Sequence, residues 1–281
     1  MFIDSHCHLD RVDLKPYNHS FAEFMREASA QQISQMLCIA IDLEAYPKML
    51  ALVEPYPQIA VSVGVHPNEH DGKEPDVAEL VALAAHPKVI AIGETGLDYF
   101  RTVQPGQEVQ EVDWVWQQQR FRNHIKAAKL THKPLIIHTR EARADTLRIL
   151  QEEGAEHVGG IIHCFTEDWE FAEAAMALNF YISFSGIVTF NNATAIKDVA
   201  KRIPADRFLI ETDSPYLAPV PKRGKPNYPM YVRYVAEYIA QLRNTSVDAI
   251  AACTAENYCR LFNLPLTPPA VVTQASVELC E

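Results

Sequence analysis

The chain has 281 residues, 48% of them hydrophobic, and a formal charge of −11. That length and apolar content suit one large α/β barrel or two ordinary domains, and exclude a disordered or fibrous chain. The acidic balance argues against a protein that grips nucleic acid over a broad basic face, but leaves room for a local anionic substrate.

In chain order, β-rich runs fall at Phe2 to His6, Met36 to Ile41, Ile59 to Val65, Val89 to Glu94, Leu135 to His138, Ile161 to His163, Tyr181 to Phe184 and Phe208 to Glu211. Amphipathic segments separate them: Ser20 to Gln31, Ala45 to Val53, Val77 to Ala85, Trp114 to Leu130, Ala142 to Glu153, Trp169 to Leu178 and Ala193 to Lys201. A helical pair, Tyr231 to Leu242 and Val247 to Phe262, follows the last strand. This alternation predicts a single-domain α/β fold, the (β/α)8 barrel, over residues 1–263, with 264–281 as a Pro-rich tail. The longest loop, between Leu97 and Val112, is expected to shape the barrel mouth.

No apolar run is long enough to span a membrane, and the chain enters a strand without a basic leader, so a soluble cytoplasmic protein with no membrane contact is expected. Cys7, Cys38, Cys164, Cys253, Cys259 and Cys280 follow no framework spacing and are expected to be reduced. No obligate protein partner is legible.

The run Phe2-Ile3-Asp4-Ser5-His6-Cys7-His8 ends a strand in two histidines one residue apart. Strict alternation would turn Asp4, His6 and His8 to one face, where both imidazoles close on one cation, and Cys7 to the other. In a (β/α)8 barrel the chemistry sits where strands end, and these strand ends are rich in donors. The first supplies His6 and His8, the fourth Glu94, the fifth His138, the sixth His163, and the eighth runs into Glu211-Thr212-Asp213.

Each donor alone has an ordinary reading: a strand-end histidine is often just hydrogen-bonded, and Asp213 before Ser214-Pro215 could open a turn. Six at one barrel end point to metal. Four histidines and two carboxylates are too many for one tetrahedral ion, so two divalent ions are expected. If Glu94 bridges them, His6, His8 and Asp213 hold one ion, and His138 with His163 the other. Water between two cations is acidified near neutral pH, and the implied reaction class is metal-assisted hydrolysis.

Six ordered motifs carry a resemblance: FIDSHCHLD (Phe2 to Asp10), GVHP (Gly64 to Pro67), IGETGLDY (Ile92 to Tyr99), IHTR (Ile137 to Arg140), IHCFT (Ile162 to Thr166) and IETDSP (Ile210 to Pro215). The series resembles the TatD family of metal-dependent hydrolases, within the amidohydrolase type. The resemblance spans about residues 1–263 and implies that His6, His8, Glu94, His138, His163 and Asp213 are the ligands of two metals, with Glu94 bridging. It also implies a phosphodiesterase, a 3′–5′ exodeoxyribonuclease on single-stranded DNA ends that uses Mg²⁺, Mn²⁺ or Zn²⁺. Two features depart from the family pattern: Glu167 stands where glycine is usual, and Glu108, Glu111 and Asp113 make the 101–113 segment acidic.

Asp213 is the expected ligand and proton acceptor, with Glu211 as second catalytic candidate or as an orienting group for water or a histidine. Arg140 offers a fork of donors to a substrate phosphate, or a salt bridge to Glu141. His66 is a candidate substrate or supporting contact, and Lys222 and Arg223 could line the mouth or stand in a solvated loop. The competing function is hydrolysis of another ester or amide, such as deacylation of misacylated tRNA; a third is a non-enzymatic metal scaffold, whose site should be closed and saturated.

Overall fold

A computed structural model describes residues 1–100 and 114–265. The acidic segment 101–113 and all but the start of the expected tail lie outside the described residues. Eight parallel strands form one sheet in sequence order: β1 (Phe2–Cys7), β2 (Ile33–Cys38), β3 (Ile59–Val63), β4 (Val89–Asp98), β5 (Leu135–Arg140), β6 (Gly160–Ile162), β7 (Phe180–Phe184) and β8 (Phe208–Ile210). The ring closes through a bridge between Cys7 and Ser214, with Asp213 N–H donating to His6 O at 2.9 Å and His8 N–H to Ser214 O at 2.8 Å. This is the predicted (β/α)8 barrel.

The helices are α1 (Phe21–Ala30), α2 (Tyr46–Val53), α3 (Val77–Ala84), α4 (Val115–Thr131), α5 (Arg143–Glu152), α6 (Trp169–Ala177), α7 (Thr194–Arg202), α8 (Val232–Arg243) and α9 (Val247–Leu261). Ser20, Asp76, Asp168 and Ser246 start α1, α3, α6 and α9 by accepting a backbone N–H three residues on. The larger core lies between sheet and helices and includes Phe24, Met36, Val61, Phe121, Phe171 and Val235. A second cluster contains Ile3, Ile39, Ile136, Ile161 and Leu209, joined by Tyr258 of α9 and Phe262 just after it. Ile136, Ile161 and Leu209 each precede a polar site residue by two, so alternation stacks them beneath the site inside the barrel.

Two strands carry an extra residue where function needs it. Asp4 to Cys7 on β1 spans three steps against two from Met36 to Cys38 on β2, and Ile92 to Thr95 on β4 does the same against Leu135 to Ile137 on β5. The β1 irregularity corrects the alternation reading. Asp4, paired with Met36 of the outer core, turns from the imidazoles and accepts from Thr212 N–H at 2.9 Å and Thr212 Oγ1 at 2.5 Å. On β4, Gly96 (φ +128°) lets the backbone press on β5: a Cβ there would lie 2.0 Å from His138 O.

His124 of α4 ties that helix to the loop after β3. Its Nδ1–H donates to Arg120 O at 2.8 Å and its Nε2 accepts the Val65 N–H at 2.9 Å, so the buried ring is neutral. Burial pushes its pKa down from 6.5 to about 4. The stability carried by the neutral ring is complete above the unfolded value and is lost as pH falls through the folded one. The span corresponds to about 3 kcal/mol at 1.36 kcal/mol per pH unit. Urea unfolding of wild type should therefore weaken between pH 6.5 and 4 by about that much more than unfolding of His124→Gln; parallel pH profiles would refute it.

Candidate metal centre

His6 and His8 lie at the end of β1, Glu94 and Asp98 on β4, His138 on β5, and His66, His163 and Asp213 just beyond β3, β6 and β8. Glu94, 2% exposed, is the hub. Its Oε2 stands 3.4 Å from His6 Nε2 and 3.9 Å from His8 Nε2. Its Oε1 stands 2.8 Å from His163 Nε2, 3.2 Å from His138 Nδ1 and 3.3 Å from His66 Nε2. Asp213 Oδ1 completes the first group, 3.4 Å from His8 Nε2 and 3.6 Å from His6 Nε2. Asp213 reaches it from a left-handed backbone (φ 55°), a conformation aspartate tolerates better than most side chains.

The donors fall into three compact sets: His6, His8 and Asp213; His6, Glu94 and His163; His66, Glu94 and His138. These residues fit a divalent cation on more than proximity. His6 Nδ1 and Nε2 and His163 Nε2 are buried without a hydrogen-bond partner, the close approach of His163 to Glu94 lacking hydrogen-bond geometry. Orphaned buried nitrogens cost about 1–3 kcal/mol each, and lone pairs aimed at a cation remove that cost.

Charge coupling runs through the cluster. Burial pushes the Glu94 carboxyl up, but the His163 and His66 imidazoles outweigh it and hold it well below the usual range. Burial likewise opposes ionisation of Asp213, yet His8, His6 and His163 keep its pKa low. His163 is raised well above its ordinary value because Glu94 and Glu211 overcome burial, and His138 is raised by Asp98 and Glu94 against the same penalty. Two buried carboxylates thus stay anionic and call for positive charge between the imidazoles.

The outer edges of the rings are also held. His8 Nδ1 lies 3.1 Å from Ile39 O, His138 Nε2 3.1 Å from Asp98 Oδ2, and His163 Nδ1 3.3 Å from Glu211 Oε1. Glu211 Oε1 also accepts the Cys164 N–H at 2.8 Å, and this carboxylate is fully buried.

A family model described as TatD related DNase matches residues 3–263. The chain is 47% identical over 263 residues to a protein of Escherichia coli K12 named uncharacterized metal-dependent hydrolase YcfH, covering 93% of this chain and 96% of that one. It is 44% identical over 265 residues to the similarly named YabD of Bacillus subtilis, covering 94% and 100%. The crystal structure of YJJV, a TatD homologue from Escherichia coli K12, superposes with a TM-score of 0.83 at 28% identity, covering 94% and 98%. This chain belongs to the TatD family. It is a metal-dependent hydrolase on a (β/α)8 barrel, as the motif series implied.

Around the TatD-family donor set opens a cleft of about 1000 Å³ lined by Arg11, His66, Arg140, Arg143, Glu167 and Tyr216 among others. His66 and Arg140 thus line one cleft with the donors, and the Arg140 guanidinium lies 3.9 Å over the Phe100 ring. Glu167 is in the cleft wall, its carboxyl pushed up by burial against the pull of Arg143. Lys222 and Arg223 are not in the described lining. Arg223 stacks 3.8 Å over Phe190, and Lys222 lies 5.3 Å and 5.8 Å from the Tyr231 and Tyr234 rings.

Sequence reasoning did not single out Asp98, Asn68, Arg11 or Tyr216. Asp98 carried one sequence signal, its even spacing from Glu94, which alternation turns to the same face once β4 runs on to Asp98. No helix among the described residues is long and apolar enough to cross a membrane. Cys7, Cys38, Cys164, Cys253 and Cys259 are free thiols.

Proposed function

We propose that this chain is a two-metal phosphodiesterase that trims single-stranded DNA from the 3′ end, with nucleic-acid ends as its substrate in the cytoplasm. The observation that carries the reading is the division of Glu94: one oxygen faces His6 and His8, the other His138 and His163. His6, His8 and Asp213 would hold one divalent ion, His138 and His163 the other, with Glu94 between them. Mg²⁺, Mn²⁺ or Zn²⁺ could serve, the imidazole-rich set suiting Zn²⁺ or Mn²⁺ better than Mg²⁺. Two such ions supply an acidified water and positive charge against the oxygens of the ester.

The remaining roles belong to side chains. Asp213, at the cleft floor, accepts the proton of the attacking water on its carboxylate. Arg140 offers two parallel N–H donors to a phosphate, a geometry lysine cannot supply. Glu211 keeps His163 aimed inward.

The test is a 5′-labelled single-stranded oligonucleotide incubated with Mn²⁺ or Mg²⁺. Stepwise shortening from the 3′ end is expected, abolished by EDTA and by His138→Ala, and blocked by a 3′-terminal phosphorothioate. Intact oligonucleotide alongside cleavage of carboxylic esters or aminoacyl-tRNA would replace this reading with an esterase or deacylase.

A further inference from the structure

His66 and His138 stand side by side, ring centroids 4.6 Å apart, and each turns one nitrogen toward Glu94 Oε1, at 3.3 Å and 3.2 Å. Distance alone makes both candidate ligands of one ion. Their outer nitrogens differ. His66 Nδ1 accepts the backbone N–H of Asn68 at 3.0 Å, so in the neutral ring the proton must reside on Nε2, the atom that faces the centre. His138 Nε2 lies 3.1 Å from Asp98 Oδ2, an acceptor, so its proton sits on that outer nitrogen and Nδ1 faces the centre bare. The same asparagine serves both rings, because Asn68 Nδ2 donates to Asp98 Oδ2 at 2.7 Å.

The pair is firmly held. Asp98 is 1% exposed, its N–H donates to Gln117 Oε1 at 2.9 Å, and Gln117 Nε2 donates back to Asp98 O at 3.1 Å. Arg120 Nη1 donates to His66 O at 2.8 Å, and Val65 N–H donates to His124 Nε2 at 2.9 Å, fixing the backbone that carries His66. His8 and His163 follow the His138 pattern, with outer Nδ1 atoms against Ile39 O and Glu211 Oε1. Among the described residues, His66 alone in the cluster has a donor at its outer nitrogen.

We propose that Asn68 and Asp98 sort the two neighbouring imidazoles into opposite roles, so that His138 meets the metal through a bare Nδ1 while His66 points an Nε2–H at the substrate oxygen that gains negative charge. His66 is then a catalytic donor and not a third nitrogen ligand; Asn68 and Asp98 are positioning residues. The proposal rests on the metal-dependent hydrolase and its ligand set, and holds for a phosphodiester or a carboxylic ester alike.

Three measurements on the full-length protein test it. In Zn²⁺-loaded enzyme, long-range ¹H–¹⁵N spectra should show His66 protonated at Nε2 and His138 at Nε2 with Nδ1 bound. In Co²⁺ titrations, His66→Ala should keep both metal equivalents, whereas Asp98→Asn, isosteric and still able to accept from His138, should weaken one of them by about 10- to 100-fold. With bis(4-nitrophenyl) phosphate and a 4-nitrophenyl carboxylic ester as probes, His66→Ala should lower kcat by about 10²- to 10³-fold, the cost of one oriented donor, and His66→Gln, which keeps an N–H near Nε2, should recover part of it.

Loss of a metal equivalent in His66→Ala would make His66 a ligand and overturn the proposal. So would an Nδ1-protonated His66, or a kcat unmoved by His66→Ala. Unchanged binding of both equivalents in Asp98→Asn would remove Asp98 from it. Wild type that binds two Co²⁺ but leaves DNA intact refutes the nuclease reading and leaves the tautomer and metal-binding outcomes standing.

Discussion

Asp213→Asn leaves a folded barrel that has lost its turnover. The carboxylate shares Glu94's neighbours, with Oδ1 3.4 Å from His8 Nε2, and its side chain is only 13% exposed at the cleft floor. Asparagine keeps the volume, the backbone N–H to His6 O and an oxygen able to contact a cation, but its amide cannot take a proton from water. Removing a general base costs about 10²- to 10⁴-fold, and losing the charge of a ligand adds to that, so kcat should fall by at least about 10³-fold. Circular dichroism and metal content measured alongside activity separate this from unfolding or ion loss. An active Asp213→Asn enzyme carrying its full metal would end the assignment of Asp213 as base.

What was legible in the sequence is what period-two alternation and strand ends encode. Every predicted strand overlaps an observed one, and His6, His8, Glu94, His138, His163 and Asp213 converge because each sits at the same end of its strand. The errors arise where the pleat is broken. Strict alternation grouped Asp4 with His6 and His8, but the extra residue on β1 sends it to Thr212, a partner 208 positions away that no local pattern reveals. Asp98 escaped notice because the expected strand stops at Glu94, four residues short of the end of β4.

Lys222 and Arg223 show the opposite limit. A basic pair in a proline-rich loop has no intrinsic direction, and its contacts with the faces of Phe190, Tyr231 and Tyr234 come from distant parts of the chain. Asn68 is the subtler case. Nothing in GVHP announces that the second residue after the histidine will hold that ring by its backbone and a different strand's aspartate by its side chain. Roles that depend on which nitrogen carries a proton require the neighbours to be in place.

Glu94→Gln is expected to do more damage than Asp213→Asn, and by a different route. Both oxygens of Glu94 are in use, Oε1 toward His163, His138 and His66 and Oε2 toward His6 and His8. Glutamine has the same shape but only one oxygen, so in either rotamer an NH₂ group faces one set of nitrogens and would repel a cation held there. The buried charge that draws positive charge into the centre also disappears. After dialysis against Mn²⁺, elemental analysis should find at least one equivalent missing per chain, where Asp213→Asn keeps its metal. Turnover should fall by more than about 10³-fold, equivalent to about 4 kcal/mol in the barrier. Retention of two equivalents with activity within about tenfold of wild type would show that Glu94 does not join the two positions. Measured together, the variants separate two failures: a centre that holds its ions without a proton acceptor, and a barrel that cannot hold both ions.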